Sequence, residues 1–256
     1  MGGGHVHPPL HRSLGAGSAS AIAAEAKIAA ALVVMGAVVA TRREAVWAFI
    51  VHGGLVALAA MLTYLPLTRL ARRLVIELPF VAFAFLLPFI GRGDRVDVLG
   101  ISLSRAGLWG GWNVLAKGTL GVATTAVLAH TTSIADLLLG LKRLRVPALL
   151  TAIAGFMVRY ADVLRGEANR MRIARVSRGD NPRWIWQARA LASGSGALFV
   201  RSYERGERVH VAMQSRGFTG EMPDLDARRA ARNDWLKVAG FPAVAAAVAS
   251  ASWWLT

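Results

Sequence analysis

Five apolar blocks dominate this sequence: residues 21–40, 45–65, 74–90, 106–130 and 235–255. Each is long enough, or nearly so, to cross a hydrocarbon layer about 30 Å thick as a helix. The stretches Ile28–Ala40, Phe80–Ile90 and Gly118–Ala129 contain no charge at all. Backbone polar groups inside a bilayer must be satisfied within the segment, which favours helices. The fold class that follows is an all-α integral membrane protein with about five transmembrane helices. The hydrophobic fraction, 55%, is only moderately above that of soluble domains, so the blocks carry the reading.

Charge is distributed as unevenly as hydropathy. The net charge is +15, and residues 142–232 hold 18 of the 30 Lys+Arg against 8 of the 15 Asp+Glu. A charge of this size first suggests nucleic acid. Its position between apolar blocks argues instead for a segment retained on the cytoplasmic side, with no nucleic-acid partner. Alternating backwards from that segment puts Gly91–Arg105 outside, the Arg69/Arg72/Arg73 connection inside, Arg42–Glu44 outside and the N-terminus inside. The expected location is the inner (plasma) membrane, multi-pass, in contact with lipid.

The organisation expected from these patterns has four parts. Residues 1–20, with Gly2–Gly4, Pro8 and Pro9, form a flexible leader that lacks the apolar core of a cleavable signal. Residues 21–130 form a four-helix transmembrane region, 131–233 a cytoplasmic region of long amphipathic helices, and 234–256 a C-terminal transmembrane helix. Pro79 and Pro88 fall inside the third block, and bundled membrane helices tolerate such residues. Gly91–Arg105 reads as a polar connection with a short amphipathic patch at Val98–Leu103. In the fourth block, Gly107 and Gly111 form a G-x-x-x-G pair, with Gly118 and Gly121 further along; these small residues serve close helix packing. Glu77, near the inner boundary, is expected to pair with Arg73.

In the basic segment, Ser133 and Asp136 have the spacing of a helix N-terminal capping box. Pro147 opens the next helix, about Ala148–Ser177, with Ile153, Phe156, Met157, Tyr160, Leu164, Ala168 and Met171 in one stripe. Asn181-Pro182 breaks the pattern, and a second long helix runs about Ile185–Ser215. Leu191, Leu198, Phe199, Tyr203 and Val209 lie on its apolar side. Each Arg or Lys at the centre of a bilayer costs about 2.5–3.5 kcal/mol, so neither helix is built to span one.

The two helices end alike. Ala174–Gly179 and Ala212–Gly217 both match A-x-x-S-R-G. Locally this is a helix stop, with glycine left-handed at C′ and Arg facing the negative end of the helix dipole. Two copies in one segment point further. A guanidinium at a rigid helix tip makes paired hydrogen bonds to a carboxylate, and two tips suit a partner with two equivalent acidic grooves.

With Thr131-Thr132-Ser133, Leu144-Arg145-Val146-Pro147, Arg172–Gly179 and Ala212–Phe218, the chain resembles the transmembrane T component of energy-coupling factor transporters, most closely the cobalt-type CbiQ family. The resemblance implies a non-catalytic scaffold. It joins a membrane S component, CbiM/CbiN-like, to two ABC-type ATPase subunits that bind ATP and Mg, with no cofactor on this chain. It also implies that Ser177, Arg178, Gly179, Ser215, Arg216 and Gly217 dock into the ATPases. The contacts with the bundle and S component would involve Gly107, Gly111, Gly118 and Gly121. The sequence departs from the family pattern at Ile134, where a proline is common, and at Ala24-Glu25-Ala26-Lys27, in place of Pro-x-x-Lys. Cobalt is the implied cargo; nickel or a vitamin such as biotin or riboflavin is the alternative within the same class. A membrane enzyme or a channel would need clustered ionisable or polar residues at membrane depth, and the blocks are mostly Ala, Leu and Val. There is no cysteine and no phosphate-binding G-x-x-x-x-G-K-[ST] motif. Ser193–Gly196 reads as a loop or kink. His5, His7 and His11 are separated by Pro8 and Pro9 and have no regular spacing for a metal; His52, His130 and His210 read as structural.

Overall fold

A computed structural model describes residues 22–91, 94–98, 101–179, 188–220 and 230–255. The expected leader, with His5, His7 and His11, and the break at Asn181-Pro182 lie outside the described residues. The chain divides into two compact units, 1–144 with 227–256, and 145–226.

The first unit contains α1 (Ala24–Ala40), α2 (Val46–Leu62), α3 (Leu67–Leu74), a 3₁₀ turn (Val75–Glu77) and α4 (Leu78–Ile90). These are followed by β1 (Arg95–Val98), β2 (Ile101–Ser104), α5 (Arg105–Thr131), α6 (Ile134–Arg143) and, after the second unit, α9 (Arg232–Trp254). Helix α1 runs parallel to α9: Glu25 accepts a hydrogen bond from the Ala230 amide at 2.5 Å, and Trp253 Nε1 donates to the Ala40 carbonyl at 3.0 Å. Helix α5 is antiparallel to both, because Lys27 Nζ donates to the Thr131 carbonyl and Lys117 Nζ to that of Val39. Helix α2 also returns antiparallel to α1, with Thr41 Oγ1 and His52 Nε2 3.1 Å apart.

The interior of this unit is made mostly of alanine, with Ile28, Phe49, Leu65 and three valines among it. Ala26, Ala37, Ala48, Ala60, Ala126 and Ala245 are buried, while Leu32, Ile50, Met61, Phe83, Phe85 and Ile90 are more than half exposed. This inverts the usual soluble arrangement, and it is how helices pack closely while offering large apolar groups to lipid. Among the described residues, α9 alone is long and apolar enough to cross a membrane unaided; up to three spans result if each bent helix pair counts as one. Helices α1 and α2 have 17 residues each, the lower end of a spanning length.

The third block is not one helix from Leu74. It breaks at Val75–Glu77, and α3 and α4 meet at 56°. Pro79 lies in the first turn of α4, where its missing N–H is not required. Glu77 is buried but does not pair with Arg73; it accepts from Thr119 Oγ1 at 3.2 Å, and Arg73 Nη1 donates to the Ala126 carbonyl. The 3₁₀ turn directs the carboxylate to the face of α5, away from the cationic row on α3. The Gly91–Arg105 connection also departs from expectation: Arg95–Val98 pairs antiparallel with Ile101–Ser104, Val96 opposite Leu103. The alternation Arg-Val-Asp-Val and Ile-Ser-Leu-Ser has a period of two, which is the strand signal.

The second unit holds α7 (Ala148–Ser177) and α8 (Ala188–Gln214). They are antiparallel: Glu167 pairs with Arg201 at 2.7 Å, and Met171 lies beside Gly194. Phe156, Tyr160 and Leu164 face Arg205, Val209 and Met213 across a groove of about 310 Å³. Half of the expected stripes face elsewhere. Met157 on α7 and Phe199 and Tyr203 on α8 are at least 60% exposed, and α7 has no buried residue.

Candidate functional site

The two A-x-x-S-R-G segments form one local structure twice. In α8, the Gly217 amide donates to the Gln214 carbonyl at 2.9 Å and the Phe218 amide to Met213 at 3.0 Å. That pair of bonds is the Schellman closure, which requires a left-handed residue at C′. Gly217 supplies it, with φ of 83°. In α7, the Gly179 amide donates to Val176 at 3.0 Å, and Gly179 has φ of 82°. Arg178 and Arg216 therefore occupy the same C-cap position. Ser177 Oγ donates to the Ile173 carbonyl and Ser215 Oγ to that of Ala212, so each hydroxyl is turned onto its own helix. All six residues are exposed. Each tip thus presents one exposed guanidinium, whose paired N–H donors suit a carboxylate.

The antiparallel pairing places these tips far apart. The end of α7 lies towards the start of α8, and the end of α8 lies beyond the level of Phe156. At 1.5 Å per residue, roughly 40 Å of helix separates the two levels. Replacing Gly217 or Gly179 by Ala forces a side chain into the left-handed region, at a cost of about 1–2 kcal/mol. We expect faster amide exchange over the last turn of the altered helix and none at the other tip.

Glu167 holds the pair together. It accepts from Arg170 on its own helix and from Arg201 on α8. The Arg170 hydrogen bond, then that of Arg201, lowers its carboxyl pKa below the ordinary value. A depressed carboxyl pKa stabilises the folded state above the unfolded value, about 4.3, and that contribution is lost as pH falls through the lower folded value. We expect Glu167→Gln to remove the acid-side part of this loss, as read by thermal unfolding of the whole chain between neutral pH and pH 3.

The expected packing glycines divide. A Cβ on Gly107 would strike the Leu87 carbonyl and Pro88 Cα, one on Gly111 would lie 2.6 Å from the Ala84 oxygen, and one on Gly118 would strike the Glu77 carboxylate. Gly121 has open space. Pro88 bears on the Gly111 contact. It has no N–H, so the Ala84 carbonyl lacks its partner four residues on. Gly111 brings the α5 backbone against that oxygen, where a Cα–H can face it.

Sequence reading did not anticipate what Lys27 does. Its ammonium caps the C-terminus of α5 by donating to the Thr131 carbonyl. Next to it, Glu25 ties α1 to Ala230 and lies 3.8 Å from Arg143 at the end of α6. Among the described residues, no group of three or more His, Asp or Glu could hold a metal ion.

A family profile described as cobalt transport protein matches residues 17–225, taking in both helix tips and the glycine face of α5. The chain belongs to the CbiQ family. Among curated relatives, the cobalt transport protein CbiQ of Rhodobacter capsulatus is 39% identical over 107 residues, which is 41% of this chain and 43% of that protein. A putative fused cobalt transport protein CbiMQ of Methanocorpusculum labreanum is 30% identical over 109 residues, 43% of this chain and 18% of that protein. An uncharacterized protein of Methanocaldococcus jannaschii is 28% identical over 147 residues, 57% of this chain and 54% of that protein. The chain thus spans about half the length, or less, of these CbiQ-like relatives.

Proposed function

We propose that this CbiQ-family chain is the T component of an energy-coupling factor importer for cobalt. It would connect ATP hydrolysis in two partner ATPases to movement of a membrane S component. The observation that carries this reading is the duplicated tip: Arg178 and Arg216 at equivalent C-caps, each stopped by a left-handed glycine, at opposite ends of one antiparallel helix pair. Two equivalent cationic contacts separated by a stiff spacer match two copies of one acidic partner, and a twofold ATPase dimer is such a partner.

The first unit supplies the membrane anchor. One of its ends gathers Lys27, Arg69, Arg72, Arg73, Arg143 and Lys237, and the other carries Trp47, Trp253 and the β-ribbon with fewer cations, Arg42, Arg43, Arg95 and Arg105. The positive-inside rule puts the former end in the cytoplasm and the tryptophans at the outer interface. The name of the fused CbiMQ relative joins a CbiM part to a CbiQ part in one chain, which supports a CbiM-like S component as partner here. The exposed apolar side chains of the second unit, Met157, Phe199 and Tyr203 among them, offer that partner a surface.

The test is radioactive cobalt uptake by cells that carry the neighbouring transporter genes with and without this chain. Uptake should require the chain together with the ATPase genes. Uptake that persists without it removes the proposed role.

A further inference from the structure

Within the first unit a cavity of about 270 Å³ opens between α1, α2, α5 and α9. Its walls are apolar, from Ala31 and Val34 on α1, Leu55 and Ala59 on α2, Val127 on α5 and Phe241 on α9. Lys27 and Lys237 gather at one end with Thr63 and Thr131, and one further hydroxyl, that of Thr124, lies two turns away on α5 and donates to the Leu120 carbonyl at 2.7 Å. That end is where the N-termini of α1 and α9 meet the C-termini of α2 and α5. The hydroxyl protons there are already used. Thr63 donates to the Ala59 carbonyl at 2.8 Å and Thr131 to that of Val127 at 3.1 Å. Lys27 uses one N–H on the Thr131 carbonyl, leaving others, and Lys237 is exposed. No carboxylate lines the cavity. Two ammoniums are therefore the donors left for a ligand, and apart from the Thr124 side chain the walls beyond them are hydrocarbon.

Such a space repels a cation, and a neutral polar molecule finds donors only at the two lysines and none along the walls. It accommodates a molecule that is apolar along its length and anionic at one end. From Lys27 to Val34 is seven residues of helix, on the order of 10 Å, room for part of one acyl chain. We propose that this cavity is a binding site for an anionic phospholipid of the cytoplasmic leaflet, its phosphate between Lys27 and Lys237 and one acyl chain between α1 and α2. Basic pockets between membrane helices on the cytoplasmic side bind anionic head groups by this combination. The site rests on the bundle lying in a bilayer with its lysine end inward, and not on the contacts of Arg178 and Arg216.

The experiment uses the full chain in nanodiscs of phosphatidylcholine with a minor fraction of phosphatidylglycerol. The protein is extracted in mild detergent and the lipids that remain bound are quantified. Wild type should retain phosphatidylglycerol well above its bulk fraction, and Lys237→Gln and Lys27→Gln should each reduce that enrichment about fivefold. Because Lys27 also caps α5, Ala31→Phe provides an independent variant; it fills the apolar end, leaves both charges, and should reduce retention of both lipids. Inorganic phosphate added at millimolar concentration should not displace the lipid. Retention of the two lipids in bulk proportion, displacement by phosphate alone, or undiminished enrichment in Lys237→Gln together with undiminished total retention in Ala31→Phe overturns the site. Loss of lipid with ATPase copurification intact separates this site from the coupling role.

Discussion

Replacing Arg178 and Arg216 together by Glu should abolish copurification of the ATPase subunits and cobalt uptake, while the chain still enters the membrane. Each Arg is exposed at the C-cap of a helix whose stop is set by the following glycine, so its removal leaves the fold untouched. Truncating one member of a buried, hydrogen-bonded charge pair costs about 2–5 kcal/mol, and reversal adds repulsion, so each single variant should weaken its contact about a hundredfold or more. With one tip intact, the complex should survive as a partial assembly that hydrolyses ATP without transport. The order of effects matters: single variants lose transport before they lose assembly. A pair that behaves like two independent surface arginines, each changing affinity severalfold at low salt and not at all at high salt, would reduce the tips to bulk charge.

The second large effect belongs to the contact of α4 and α5. Gly111→Ala would place a methyl against the Ala84 oxygen, and Gly107→Ala would place one against Leu87 and Pro88. Each atom met is backbone, which cannot turn aside as a side chain can. We expect about 3 kcal/mol of destabilisation from either change, read as a lower melting temperature of the detergent-solubilised chain. Gly121→Ala, two turns or more away on the same helix with nothing within 4 Å, should stay within about 1 kcal/mol of wild type and is the internal control. Equal effects at Gly107 and Gly121 would show that helix propensity, and not close approach, governs this face.

These contrasts mark what sequence could and could not reveal. The course of α7 was legible to the residue and so was the end of α8, because Pro147 begins a helix and Gly179 and Gly217 end helices by chemistry local to a few residues; the loop or kink expected at Ser193–Gly196 is instead continuous helix. The duplicated tips were legible for the same reason. What α7 does with α8 was not. Their antiparallel course is fixed by pairs such as Glu167–Arg201, and no local pattern says which of two stripes faces the partner. Tyr203 and Phe199 looked like core, and they point out. Glu77 looked like a partner for Arg73 four residues earlier, the natural guess for a continuous helix. The 3₁₀ turn removes that register and gives the carboxylate to Thr119. The ribbon at Arg95–Ser104 was legible in its alternation but lay hidden beneath an all-helical expectation. Of the glycines, spacing identified Gly107 and Gly111, but not that Pro88 frees the carbonyl that Gly111 meets. Gly121 shares the spacing without the contact.

The most direct measurement uses the absence of cysteine from the chain. Single cysteines placed by Ser177→Cys and Ser215→Cys, each beside a tip arginine and exposed, can be reacted with a short bifunctional cross-linker in the assembled complex. A cysteine at Glu204, exposed and about midway along the helix pair between the levels of the two tips, serves as control. If the tips dock two ATPases, each single variant yields one cross-linked ATPase, the double variant yields two on the same chain, and the Glu204→Cys chain yields none. ATPase cross-linked equally at all three positions, or at neither tip, would contradict the docking of this chain through Arg178 and Arg216.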